Sequence, residues 1–355
     1  MRVALVTSLV SPLRPAEANG PHAVVLDLAR GLGARGHGVT IYAAAGSVAD
    51  GVHVEEVAVD PRAVGASVRI GEAGAPTGAV RALNEGFRRL FDRVRTDEPD
   101  VVSQHAFDAA AFDLAAGLPV LHTLHLPPDD GPVLAAARRT ADRLATVSRH
   151  ARDEWRAATG RDIGLLRNGV PARTPAAGAT VPVALVAGRI SPEKGTDTAI
   201  RVARRAGLSV LVVGDAYDPA YHATRVEPLL RPGEWIGPVP RAELFELMAR
   251  CAVLLMPIGW DEPFGLVAAE AQMAGCPVVA FRRGALPEVV TDELTGYLVD
   301  PGDEDGMVRA VHRARALDRR AIRDRAGAEL AVERMVDDYE RELAVIAARP
   351  TTAVS

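Results

Sequence analysis

A chain of 355 residues is too long for one ordinary hydrophobic core and fits two domains. Its 48% hydrophobic and 25% charged residues are those of a globular protein in water, and a net charge of −5 excludes the usual, strongly basic nucleic-acid binder. No apolar run reaches the ~20 residues that cross a bilayer, and Arg2–Thr7 reads as a buried strand rather than a secretory leader, so a cytoplasmic protein without stable membrane insertion is expected.

Short apolar runs alternate with helical patterns along the whole chain, which points to an α/β fold of parallel sheets covered by helices. Strands are expected at Arg2–Thr7, Val39–Ala44, Val52–Val57, Asp100–Ser103, Pro119–Thr123 and Arg143–Val147, with helices at Pro21–Leu32 and Gly78–Arg95 among those between them. Ala58–Thr77 is long, rich in small residues and aperiodic, and reads either as a disordered connector or as a cover over a binding cleft. The alternation breaks at Pro171–Pro182, a Pro-, Ala- and Gly-rich linker. A second series follows at Val183–Gly188, Ser209–Val213, Ala252–Met256, Pro277–Phe281 and Tyr297–Val299. The expected domains are therefore 1–172 and 182–329, with one long helix over Ala328–Ala348 packing back onto the first. Two doubly wound domains facing a central cleft would present their strand carboxyl ends to it, where ligands bind in such sheets.

Several patterns match motifs by letters alone. Gly31-Leu-Gly-Ala-Arg-Gly36 fits a dinucleotide fingerprint, but it follows a helix and precedes a strand, the reverse of what that site needs. Those glycines suit a helix end. Asp303-Glu-Asp305 opens a helix, where acidic residues are favoured by the dipole without any metal. The arginines of Arg138–Arg161 alternate with Asp142, Asp153 and Glu154, as on a solvated helix face, with attraction to a membrane surface as the alternative. Cys251 and Cys276 sit in apolar surroundings without metal-ligand spacing and read as reduced core residues.

Of 41 basic residues, 40 are arginine and Lys194 is the only lysine. Keeping one ammonium in such a chain points to a place that needs a compact charge rather than a planar fork. Lys194 lies in Gly188-Arg-Ile-Ser-Pro-Glu-Lys-Gly195, just past a buried run, so Arg189 and Lys194 suit a diphosphate. Further on, Trp260-Asp-Glu-Pro-Phe-Gly-Leu-Val leaves a strand and starts a helix near Phe264 that ends at Gly275. The first amides, from Gly265 through Leu266 to Val267, are orphan donors at a positive helix end. Glu262 stands just before this start and Glu270 about two turns along, too far apart to share one position. Two carboxylates beside a phosphate suit hydroxyls, which sugars supply; capping or solvated glutamates are the plainer reading.

Glu262-x7-Glu270 after Gly188–Gly195 resembles the donor-site signature of the retaining glycosyltransferases of family GT4, which have the GT-B fold of two Rossmann-like domains about a central cleft. Other pieces follow in family order: Asn19-Gly20, Leu121-His-Thr-Leu-His125, Val147-Ser148, Asn168-Gly-Val170 and Leu294–Gly302. The resemblance implies transfer of a sugar from a UDP- or GDP-sugar to a hydroxyl-bearing acceptor, with no metal or organic cofactor. It implies that Arg189 and Lys194 neutralise the diphosphate, helped by Gly20, Gly265, Leu266 and Val267. Glu270 would hold the ribose, Glu262 and His125 the sugar, and Val239 would lie by the nucleobase. His122, on the opposite strand face, reads as a core histidine. The family often has Gly-Gly where this chain has Asn19-Gly20, and His22 then stands where an acceptor would enter. Gly214–Tyr221 vaguely resembles enzymes of actinobacterial natural-product pathways. A sugar-nucleotide epimerase of the same architecture and a non-catalytic nucleotide-sugar-binding subunit stay as rival readings.

Overall fold

The first apolar run forms β1, Arg2–Val6, which in the computed structural model lies inside an all-parallel sheet. The structure describes residues 1–14, 20–59, 77–174 and 179–348, so most of the Ala58–Thr77 segment, Asn19 and part of the Pro171–Pro182 linker lie outside the described residues. The sheet is ordered β3-β2-β1-β4-β5-β6-β7. Its other members are β2 Gly38–Ala44, β3 His53–Val57, β4 Val101–Gln104, β5 Val120–Leu124, β6 Arg143–Thr146 and β7 Gly164–Leu165. β4 and β5 are buried along their whole length. Burial on both faces removes the apolar–polar alternation of a half-exposed strand, although both enclose polar residues, Ser103 and Gln104 in β4 and His122 and Thr123 in β5. β7 was not expected: it has two residues and exists only through its pairing with Ala145 and Thr146.

Helices pack this sheet by narrow apolar stripes. In Thr77–Asp97 the buried residues Leu83, Phe87, Leu90, Phe91 and Val94 recur at helical spacing and join the core with Val6, Tyr42 and Val102. Arg149–Thr159 starts where Ser148 Oγ accepts from Ala151 N at 3.0 Å. Its Trp155 is fully buried and donates from Nε1 to Leu126 O at 2.9 Å.

The second sheet is also parallel, ordered β12-β11-β10-β8-β9, with β8 Val181–Ala187, β9 Ser209–Val213, β10 Cys251–Met256, β11 Val278–Phe281 and β12 Gly296–Val299. Its core gathers Leu255, Val279, Val212 and Ile200. The chain divides into two compact units, Met1–Arg167 with the segment from Met335 onward, and Asn168–Arg334.

The helix expected over Ala328–Ala348 is observed as Val332–Ala347, and Ala328 and Glu329 instead end a separate helix, Arg319–Glu329. Between them the chain runs extended beside Val170, whose N–H donates to Leu330 O at 2.8 Å and whose carbonyl accepts from Val332 N at 3.1 Å. Asn168–Val170 thereby belongs with the second unit, and Gly169 is required because a Cβ there would sit 2.6 Å from Ala331 O.

Val332–Ala347 buries Met335, Val336, Tyr339, Leu343 and Ile346 in the first unit. Gly31 lies within the helix Gly20–Ala34 and not at its end, and a methyl group there would overlap the Val336 side chain. Gly31→Ala is therefore expected to destabilise the protein by about 1–2 kcal/mol, overpacking outweighing the better helix propensity of alanine. Gly31→Ala with Val336→Ala should lose less than the sum of the single changes. Urea unfolding of the three variants measures this; a stabilised Gly31→Ala would refute the contact as the reason for glycine.

Candidate active site

In the second sheet the chain order reverses between β8 and β10, the position at which parallel sheets bind ligands beyond their carboxyl ends. Two loops leave there. From β8, Gly188 and Arg189 lead to a single 3-10 turn, Pro192–Lys194, and then to the helix Thr196–Arg205. From β10, Pro257–Gly265 leads to the helix Leu266–Met273. The two loops meet side chain to side chain. Lys194 Nζ donates to Glu262 Oε2 at 2.7 Å, and Trp260 Nε1 donates to the same oxygen at 3.0 Å. The ammonium also lies 5.0 Å from the Trp260 ring centroid. Both donors land on Oε2.

Glu262 is fixed from behind as well. Ala285 N donates to its carbonyl at 2.8 Å, and Gly284, at φ +54°, lies so close that any Cβ would overlap the Glu262 backbone. Gly265 precedes the helix in a left-handed conformation, φ +91°. The amides of Leu266 and Val267 then open the helix without intrahelical acceptors. Glu270 lies four residues past Leu266, about one turn along rather than two, because the helix starts later than expected. Its Oε1 accepts from Arg241 Nε at 2.5 Å. Arg241 begins the helix Arg241–Arg250 directly after the Gly237–Val239 turn, where Val239 is half-buried. The two glutamates are thus held by different cations.

Arg189 keeps other company. Its side chain is 48% exposed, lies 3.5 Å from Glu193 and covers the Tyr217 ring at 4.5 Å. Gly214–Tyr221 supplies that ring, and Asp218 caps the following turn by accepting from Tyr221 N at 2.9 Å.

In the first unit, β4 and β5 end in a cluster of imidazoles. His125, just past β5, is buried, and its Nε2 lies 2.9 Å from His105 Nδ1. His105 Nε2 lies 2.9 Å from Ser103 Oγ. Burial, with the nearby charge of His22, pushes His125 down to about 4, and burial holds His105 well below the usual histidine range. Sequence reasoning passed over Ser103 and His105, although the two-residue period of a strand puts them on one face. His122 is a core residue, stacked on Phe112 at 4.5 Å and 3.3 Å from Gln104 Oε1. His22 is 5% exposed in the first turn of Gly20–Ala34, so its ring lies inside and not on an open face; Gly20 is the first residue of that helix.

Asp108, beyond β4, was also missed. Desolvation pushes its carboxyl up to about 6, the hydrogen bond from Ser8 Oγ at 3.4 Å lowers it, and the charge of Asp130 adds to the rise. The folded value lies above the unfolded one, so the fold favours the protonated acid. That contribution is full below about pH 4 and is lost as pH rises through about 6. Asp108→Asn should therefore gain about 3 kcal/mol of stability at pH 8 and little at pH 4. Denaturant midpoints at both pH values check this; an equal shift at both would remove the titration as cause.

The remaining motifs resolve into structure. Asp303 caps its helix by accepting from Gly306 N at 2.7 Å, and Asp305 pairs with Arg205. Arg138 and Arg161 donate to carbonyls, Arg139 pairs with Asp113 and Arg156 with Asp162, so this stretch holds the fold together. Burial pushes Cys251 and Cys276 up to about 11 and about 12. Among the described residues no helix is long and apolar enough to cross a membrane.

Two parallel doubly wound units, one carrying a lysine–glutamate pair at its switch point, have the architecture of the GT-B fold. A family model described as Glycosyltransferase Family 4 matches residues 18–173, and one described as Glycosyl transferases group 1 matches residues 174–328. The chain belongs to this glycosyltransferase family. It is 31% identical to a glycogen synthase of Mycobacterium tuberculosis over 69% of this chain and 66% of that enzyme. It is 37% identical to an uncharacterised Klebsiella pneumoniae protein from a cps region over 35% and 34% of the two chains. The chain thus spans from a third to about two thirds of these relatives. In fold it is similar to sucrose-phosphate synthase from Thermosynechococcus elongatus, with a TM-score of 0.80, 18% identity and coverage of 98% and 100%. The Anabaena protein HepE in complex with UDP-glucose gives a TM-score of 0.71, 19% identity and coverage of 97% and 100%.

Proposed function

We propose that this protein transfers a sugar, with retention at its anomeric carbon, from a nucleoside-diphosphate sugar to a hydroxyl-bearing acceptor. The observation that carries this is Lys194 bound to Glu262 at 2.7 Å beside an open helix start. In this reading the diphosphate sits at the Leu266 and Val267 amides, and Lys194 and Arg189 oppose the negative charge that grows as the glycosidic carbon–oxygen bond breaks. Glu262 Oε1 receives a sugar hydroxyl, Glu270 the ribose, and the Gly237–Val239 turn the nucleobase. His125 hydrogen-bonds a sugar hydroxyl. With the charge supplied by side chains and amides, a divalent cation is redundant, and turnover is expected to persist in excess chelator. Uridine is the favoured base, because HepE was solved with UDP-glucose.

A panel of UDP- and GDP-sugars, with release of nucleoside diphosphate followed with and without candidate acceptors, tests the proposal. Acceptor-dependent release with a product of unchanged anomeric configuration is the expected result. Interconversion of sugar nucleotides without release would identify an epimerase, and binding without either reaction would identify a binding subunit.

A further inference from the structure

We propose that Ser103 and His105 are positioning residues that hold His125 as an Nδ1–H donor, so that it hydrogen-bonds a ligand oxygen and does not act as a base. The ligand, a sugar or acceptor hydroxyl, rests on the function proposed above; the relay itself does not. Ser103 is 0% exposed, and among the described residues the partner of its hydroxyl is His105 Nε2, at 2.9 Å. A hydroxyl sealed from water loses more by leaving its hydrogen unpaired than by any other arrangement, so it donates to that nitrogen.

The rest follows by proton counting. His105, neutral because it is buried, accepts at Nε2 and so carries its hydrogen on Nδ1. That N–H donates to His125 Nε2 at 2.9 Å. His125 is neutral too, so its hydrogen is on Nδ1. Reversing every bond makes Ser103 an acceptor and strands its own hydrogen in the core. Ring packing restrains the relay: the His105 ring centroid lies 5.8 Å from that of Tyr339 and 5.2 Å from that of His125. Tyr339 is itself tied to Thr123 Oγ1 at 3.2 Å.

The experiment is a long-range proton–nitrogen correlation spectrum of the whole protein, labelled with nitrogen-15 histidine at pH 7.5. His125 signals are assigned from their loss in His125→Gln. The expected pattern is one tautomer, with Nδ1 protonated and Nε2 bare on both His105 and His125. Ser103→Ala removes one oxygen and should turn the His125 pattern into a mixture. It should also lower kcat about two- to fivefold, in proportion to the Nδ1-protonated fraction lost, with KM little changed. A proton on Nε2 of wild-type His125, or a Ser103→Ala spectrum identical to wild type, overturns the relay. The spectra need no turnover, so a protein that shows this tautomer and moves no sugar counts against the reaction and not against the relay.

Discussion

Lys194→Ala is expected to lower turnover by about 10²–10³-fold while leaving the fold intact, the size of effect seen when one preorganised charge-stabilising donor is removed. The side chain is 22% exposed and packs over Trp260 at the rim of the sheet, not in its core, so little stability depends on it. Its bond to Glu262 makes a second account possible, in which the lysine does no more than hold the glutamate. A double-mutant cycle separates the two. If Lys194 acts on the diphosphate, Lys194→Ala with Glu262→Gln is slower than either single variant. If it serves only to position Glu262, the double variant is no worse than the poorer single one. Lys194→Arg should recover little, because a planar fork on a longer stem does not reproduce the compact point charge that Lys194 Nζ sets on Glu262 Oε2. Steady-state rates of the four proteins decide this, and wild-type turnover in Lys194→Ala would remove the lysine from the chemistry.

The sheets were legible because short segments rich in apolar residues alternate with helical patterns, and every expected strand lies within two residues of an observed one. What stayed hidden depends on contacts distant in sequence. The break at Leu330 and Ala331 comes from the backbone of Val170, and nothing in the local sequence, which has neither Gly nor Pro there, announces it. Gly31 looks like a helix terminator until Val336 is found against it. The candidate site was marked in the sequence by residue type but not by partner. The rarity of lysine singled out Lys194, and the spacing singled out Glu262 and Glu270, yet both cations read for the diphosphate turned out to hold carboxylates: Lys194 meets Glu262 and Arg189 meets Glu193. Arg241, one of 40 arginines, carried no signal until its bond to Glu270 was seen.

The two glutamates are expected to separate by what they bind. Glu270→Gln should weaken plain nucleoside diphosphate about tenfold or more, since a charge-assisted bond to a ribose hydroxyl forms whether or not a sugar is attached. Arg241 makes this sharper: its bond at 2.5 Å ties Glu270 to the helix that follows the Gly237–Val239 turn, so the neutral amide loosens both proposed nucleoside contacts at once. Glu262→Gln should leave plain diphosphate affinity within about twofold of wild type. In the proposed reading its partner is the sugar, and Lys194, released from Glu262, stays beside the phosphates. Transfer by Glu262→Gln should nonetheless fall about 10²-fold if, as proposed, the carboxylate faces the carbon where positive charge develops. Calorimetric titration with the plain diphosphate, followed by rates with the sugar nucleotide, measures both halves. Loss of diphosphate affinity in Glu262→Gln as severe as in Glu270→Gln would mean that the two carboxylates serve one ligand group, and the assignment of Oε1 to a sugar hydroxyl would fall.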